Sequence, residues 1–257
     1  MSSVLFEVQE GLARITLNRP DKLNSFNREM ALLLQQYLDE CAGSAVRAVL
    51  LTGSGKGFCA GQDLAELTGD NPPTMTQILS EHYNPIIKKI RNLPKPVVAA
   101  VNGVAAGAGA NIALCCDVVV ASENAAFIQA FSKIGLIPDS GGTFFLPRLI
   151  GFQRASALML LGDKVHAKEA LEMGLVYKVF PAADFAAAAT VLAVQLSQMP
   201  TRGLALTKHA LNQSFQNTLE QQLELEDRFQ QDAALTYDYR EGVSAFLEKR
   251  QPLFKGV

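Results

Sequence analysis

The chain has no tryptophan, only three histidines (His82, His166 and His209) and only four cysteines (Cys41, Cys59, Cys115 and Cys116). The cysteines show no paired CxxC spacing and the histidines lie far from them, which argues against a zinc site or a disulfide framework. With 257 residues the chain needs neither, since one large domain, or a main domain with a smaller appendage, buries a substantial core. No excess of either charge is present: 23 basic and 25 acidic side chains leave a net charge of -2, without the footprint of a nucleic-acid binder. Long hydrophobic runs are missing as well. Stretches such as Val97 to Val101 are far shorter than the roughly 20 residues that span a bilayer, and Met1 to Glu7 lacks the basic start and apolar run of a secretory signal. The expectation is a soluble cytoplasmic protein with no metal ion.

What is present is a mixed first half and a helix-rich last third. Leu5 to Val8 and Leu12 to Leu17, around Gly11, read as a hairpin. Met30 to Tyr37 carries helical spacing. Arg47 to Thr52 and Pro96 to Val101 are short apolar runs ending at glycine, as buried strands before functional turns do. Gly109 to Cys116 suits a helix and Asp117 to Ala121 a strand, giving the strand and helix alternation of wound or stacked α/β units. Beyond Pro147, the segments 154–161, 167–173, 183–199, 202–213, 219–230 and 239–249 all favour helix, with Pro181, Pro200 and Gly203 as breaks. An α/β core over residues 1–199 and a helical region over 200–257 are therefore expected.

Two glycine-rich turns follow predicted buried strands. The first, Gly53-Ser54-Gly55-Lys56-Gly57-Phe58-Cys59-Ala60-Gly61-Gln62-Asp63-Leu64, fails the Walker pattern because Leu50 and Gly57 stand where a glycine and a hydroxyl residue are required. The second, Asn102-Gly103-Val104-Ala105-Ala106-Gly107-Ala108-Gly109-Ala110-Asn111, fails the dinucleotide GxGxxG pattern at Ile112. Small residues here let a ligand approach the backbone, and a helix start would offer unpaired N–H groups to an anion or a developing negative charge.

A single acid stands out in Phe131-Ser132-Lys133-Ile134-Gly135-Leu136-Ile137-Pro138-Asp139-Ser140-Gly141-Gly142-Thr143. Apolar surroundings raise a carboxyl pKa and suit it to proton transfer. An Asp just before a helix also serves as an N-cap, and the local sequence leaves both readings of Asp139 open.

Taken together, Leu17-Asn18-Arg19-Pro20, Phe58 to Leu64, Ala100-Val101-Asn102-Gly103, Cys116-Asp117, Gly135-Leu136-Ile137-Pro138 and Gly141-Gly142-Thr143 resemble the crotonase, or enoyl-CoA hydratase/isomerase, superfamily. The resemblance runs from about Leu5 to the C-terminus. It implies a ββα-spiral core, a C-terminal α-helical trimerisation region, trimers or pairs of trimers, and a substrate carried as a coenzyme A thioester with no prosthetic group. It further implies that the backbone N–H groups of Gln62 and Ala108 hold the thioester oxygen, where an enolate's charge accumulates.

Family hydratases use two glutamates, and the matching positions are Asn111 and Phe131. The resemblance therefore points away from water addition and toward isomerisation, with Asp139 at the position where several family isomerases place their acid. The stretches His82-Tyr83-Asn84-Pro85, 102–110, 130–139 and 238–247 resemble the isomerase branch that converts ring-1,2-epoxyphenylacetyl-CoA to an oxepin thioester in phenylacetate breakdown. A Δ3,Δ2-enoyl-CoA isomerase, and after it a hydratase or a non-catalytic CoA-ester-binding protein, are the alternatives.

By the same resemblance, Lys22, Leu23, Ala60, Asp63, Leu64, Phe246 and Lys249 fall at coenzyme A contacts or the motif around them, the last two reaching from a neighbouring subunit. Their ordinary roles differ: a lysine is usually a solvated charge, Phe246 on a helix is usually core, and Asp63 suits fixing its own turn. His82 and Tyr83 read as helix-face packing or acyl-pocket lining, Lys133 as a solvent-facing charge, and Cys59, with no base in its motif, as a small buried side chain.

Overall fold

The computed structural model describes residues 2–68 and 72–257. Ten strands appear among them, in chain order β1 (Val4–Gln9), β2 (Leu12–Leu17), β3 (Ala48–Gly53), β4 (Gly57–Cys59), β5 (Val97–Val101), β6 (Val104–Ala106), β7 (Val118–Ser122), β8 (Ala126–Ile128), β9 (Lys164–His166) and β10 (Lys178–Phe180). They form two sheets. The longer strands make a six-stranded sheet in the order β1-β2-β3-β5-β7-β10, and the short ones a four-stranded sheet in the order β4-β6-β8-β9. Only the outer pairs β1/β2 and β8/β9 are antiparallel.

The topology is a spiral. The chain runs up a long strand, crosses into a short strand of the second sheet, and returns through helical structure to the next long strand: β3 then β4, β5 then β6, β7 then β8. The helical returns are α2 (Met75–Gln77) with a π-helical turn over Ile78–Tyr83 and α3 (Asn84–Asn92), then α4 (Ala108–Leu114), then α5 (Gly142–Ile150) and α6 (Phe152–Leu161). α1 (Arg28–Glu40), started by the Asn27 side chain accepting from the Met30 N–H, precedes the first repeat.

Burial explains the strand composition. β5, Val97-Val98-Ala99-Ala100-Val101, is buried throughout because both faces are covered, so it reads as a continuous apolar run. One face packs into the main core with Ile15, Leu51, Ala99 and Val101. The other meets Phe185, Ala189 and Ala193 of α8 (Phe185–Ser197), which follows α7 (Ala167–Glu172).

After Pro200 the chain forms α9 (Thr201–Ser214), α10 (Leu219–Ala234) and α11 (Tyr237–Glu248). Lys208 of α9 reaches back into the core, pairing with Asp117 at 2.8 Å and donating to the carbonyls of Ile90 and Lys95. Two sequence readings are corrected here. Gly203 does not break the helix; it lies inside α9, whose N-terminal cap is Pro200, and the break falls between α8 and Thr201. Phe246 is not core, being 83 % exposed on α11.

Candidate active site

The site begins with strand adjacency. β4 and β6 are parallel neighbours, so the turns that follow them emerge side by side at the same sheet edge. The glycines make the close approach possible. A Cβ on Gly109 would lie 2.4 Å from the Cys59 carbonyl oxygen, and one on Gly61 would lie 3.0 Å from the Ala106 oxygen and 3.6 Å from the Ala108 nitrogen. Gly61 (φ +90°) and Gly107 (φ +52°) also sit in the left-handed half of backbone space that other residues avoid.

These turns aim two donors at one cavity. Ala108 supplies the first N–H of α4, which has no intrahelical acceptor, and Gln62 follows the left-handed Gly61. Among the described residues, no acceptor takes either N–H. The segment before α1 braces the first turn. The Leu23 carbonyl accepts from the Ala60 N–H, Asn24 donates to the carbonyls of Ser54 and Gly57, and Arg19 pairs with Asp63 at 2.8 Å. Asp63 also accepts from the Ala65 N–H, and the Arg19 hydrogen bond lowers its pKa. Its carboxylate is thus engaged in holding the turn.

The cavity, of about 210 Å³, is lined by Ala60, Gly61, Gln62, Leu64, Leu67, Met75, Ile78, Tyr83, Gly107, Ala108, Ala130, Phe131, Lys133, Ile134, Leu136 and Asp139. Most of this wall is hydrocarbon. Asp139 is the one carboxylate among the described lining residues, and burial raises its pKa, with the Ser140 hydroxyl donating to Oδ1 at 2.8 Å and partly opposing the shift. The N-cap alternative is excluded by geometry. Gly141 occupies the cap of α5, and it is the Asp139 carbonyl, not its carboxyl, that accepts from the Gly142 N–H.

Asn111 has a different job from proton transfer. Its amide nitrogen donates to the Asp139 carbonyl at 2.9 Å and its oxygen accepts from Gln129 at 2.8 Å. Gly142 allows this, since a Cβ there would stand 2.3 Å from the Asn111 amide nitrogen. Phe131, buried in the wall, puts a ring rather than a polar group beside Gly107. Sequence reasoning missed Gln129 and Ser140, and favoured plain packing for Tyr83. The Tyr83 ring is buried against Phe26, and its hydroxyl donates to Gln62 Oε1 at 2.8 Å. Burial holds that phenol's pKa well above its usual range.

The expected coenzyme A contacts divide into two groups. Ala60, Asp63 and Leu64 belong to the first turn, Leu23 packs against Gly57 beside it, and Lys22 is exposed on the same segment. Phe246 lies elsewhere, in a groove with Tyr239, Val243, Leu247 and Phe254, and Lys249 ends α11 in a left-handed conformation. Lys133 is exposed at the mouth of the cavity.

A ββα spiral with two N–H groups that no described residue pairs, set over an apolar pocket, is the architecture of the crotonase fold. The enoyl-CoA hydratase/isomerase family profile matches residues 7–257, and the chain belongs to that family. It is 48% identical to the 1,2-epoxyphenylacetyl-CoA isomerase of Escherichia coli K12 over 260 residues, covering 100% of this chain and 99% of that one. A Rhodobacter capsulatus protein described as a probable enoyl-CoA hydratase is 46% identical, covering 99% of this chain and 98% of its own. The crystal structure of a Mycobacterium abscessus protein superposes with a TM-score of 0.93 at 39% identity, covering 98% of each chain.

Proposed function

We propose that this enzyme isomerises ring-1,2-epoxyphenylacetyl-CoA to its oxepin thioester, with Asp139 as acid and base and the Gln62 and Ala108 N–H groups on the thioester oxygen. The observation that carries the reading is a desolvated carboxyl, the one among the described lining residues, sharing an apolar cavity with two backbone donors that no described residue pairs; by the family resemblance, Asn111 and Phe131 stand where hydratases carry their glutamates. The 48% identity to an isomerase of that substrate supports the choice of acyl group.

In this reading Asp139 takes a proton from the carbon next to the thioester, and the electron pair moves onto the carbonyl oxygen. Donors fixed in advance stabilise that charge without solvent reorganisation. Cleavage of the bond between the two oxygen-bearing ring carbons gives a seven-membered ring whose new double bond is one position removed from the α carbon. Return of the proton to the far end of that double bond completes the isomerisation, and the ring oxygen keeps both its carbon bonds. The same proton shift on an open-chain 3-enoyl-CoA is the second reading, favoured by the absence of any step that needs the oxygen to leave.

Oligomerisation belongs to the proposal. The exposed Leu219, Leu223, Leu235, Phe246 and Leu247 of the region 200–257 support its role in forming a trimer, or a pair of trimers, in which Phe246 and Lys249 enclose a neighbour's coenzyme A. A cytoplasmic location follows from the substrate rather than from any segment of the chain.

The test is turnover of the ring-epoxide, a 3-enoyl-CoA and a 2-enoyl-CoA by the wild type and by Asp139→Asn. The expected result is conversion of the epoxide that is lost in the variant while CoA-ester binding is retained. Hydration alone, or turnover that ignores Asp139, would overturn the assignment.

A further inference from the structure

Of the two isomerase readings, only the ring epoxide brings an oxygen into the acyl pocket, and one residue of the described cavity wall carries a hydroxyl. Tyr83 brings the only hydroxyl among the described lining residues. It comes from a π-helical turn over Ile78–Tyr83, a local insertion that often marks functional positions. In this turn the consecutive residues His82 and Tyr83 are both buried. A phenylalanine would pack against Phe26 as well, so the hydroxyl needs a reason to be in a largely hydrocarbon wall.

Its present partner is Gln62 Oε1 at 2.8 Å, and Gln62 in turn donates to Glu66 Oε2 at 2.8 Å. Gln62 is only half-buried, so its amide oxygen can take water in place of the phenol. The phenol hydrogen is therefore free to turn toward a ligand. Resting on the epoxide reading above, we propose that Tyr83 is a specificity residue that donates a hydrogen bond to the ring oxygen of the substrate, selecting an oxygen-bearing acyl group over a plain hydrocarbon one. That oxygen remains an uncharged acceptor from epoxide to oxepin, so a neutral donor suits it throughout, and a phenol in this environment stays protonated across the neutral range.

Tyr83→Phe tests this by removing one atom and keeping the shape. Two quantities are measured for wild type and variant: kcat/KM on the ring-epoxide, and the Kd of phenylacetyl-CoA, which has the ring without the oxygen. The expected result is a loss of about tenfold on the epoxide, the size of one good hydrogen bond, with phenylacetyl-CoA binding changed by less than about twofold. Equal losses in both, or loss of folding in the variant, would make Tyr83 a packing and Gln62-holding residue and overturn the proposal. An unchanged epoxide kcat/KM overturns it directly. A wild type that binds phenylacetyl-CoA but does not turn over the epoxide removes the functional reading itself, and this inference with it.

Discussion

Asp139 works against its own stability. Its carboxyl is held in apolar surroundings that raise its pKa, so the folded chain binds that proton more tightly than the unfolded one. The linked stability is present at low pH and is lost as pH rises through the raised folded value. At neutral pH, Asp139→Asn is therefore expected to stabilise the protein by about 1 kcal/mol, or roughly 2 °C in Tm, while abolishing turnover. Paired calorimetry and activity measurements check this. As a base, Asp139 must be ionised, so kcat/KM should fall on the acid side with an apparent pKa above the roughly 3.9 of a free aspartate. A flat profile down to that value would remove it as the base. The proposed roles of Asp139, Gln62 and Ala108 could be put forward from the sequence because each sits within a short motif that the family resemblance covers. Those of the Asn111 to Gln129 pair and the Tyr83 hydroxyl could not, since their partners lie 18 and 21 positions away and only the spiral brings them together.

Elements were legible in proportion to their length. The hairpin of β1 and β2, the buried β3, β5 and β7, and the helices after residue 150 announce themselves through alternation, continuous apolar runs or helical period. The second sheet does not, because three-residue strands such as β4, β6 and β8 are too short to show any period. α5 was hidden by Pro147, which is tolerated inside it although proline usually marks a helix end. Yet it is the unannounced pair β4 and β6 that sets the distance between the two donors. Gly109→Ala should therefore act as an active-site mutation although glycine has no side chain to lose, its methyl meeting the Cys59 sulfur at 2.6 Å as well as the carbonyl. A methyl 2.4 Å from the Cys59 carbonyl must push the turns apart, costing about 1–3 kcal/mol of stability and about 100-fold or more in kcat, with a smaller change in KM. Denaturation and steady-state kinetics measure both, and wild-type kinetics in the variant would show that the spacing of the turns is not what positions the donors.

At the scale of the whole molecule, a single chain leaves large apolar side chains uncovered on its last helices, including Leu235 at 81 % and Leu253 at 75 % exposure beyond α10 and α11. Light scattering is expected to give a multiple of three of the 27.7 kDa chain mass. A monomer at working concentration would instead leave Phe246 and Lys249 with no neighbouring site to serve. The expectation of a trimer rests on family resemblance, since no pattern within one chain states how many copies meet.

The four thiols give the molecule an internal clock. All are buried, and Cys59, whose sulfur accepts from the Gly61 N–H at 3.4 Å, has its pKa pushed up to about 12 at the junction of the two turns. Such a thiol is inert toward an alkylating reagent until the turns part, so the rate at which it is labelled in native buffer reads how often the donor pair breathes. A CoA ester bound across those donors should slow that labelling, and the slowing would report ligand seating in the absence of any turnover.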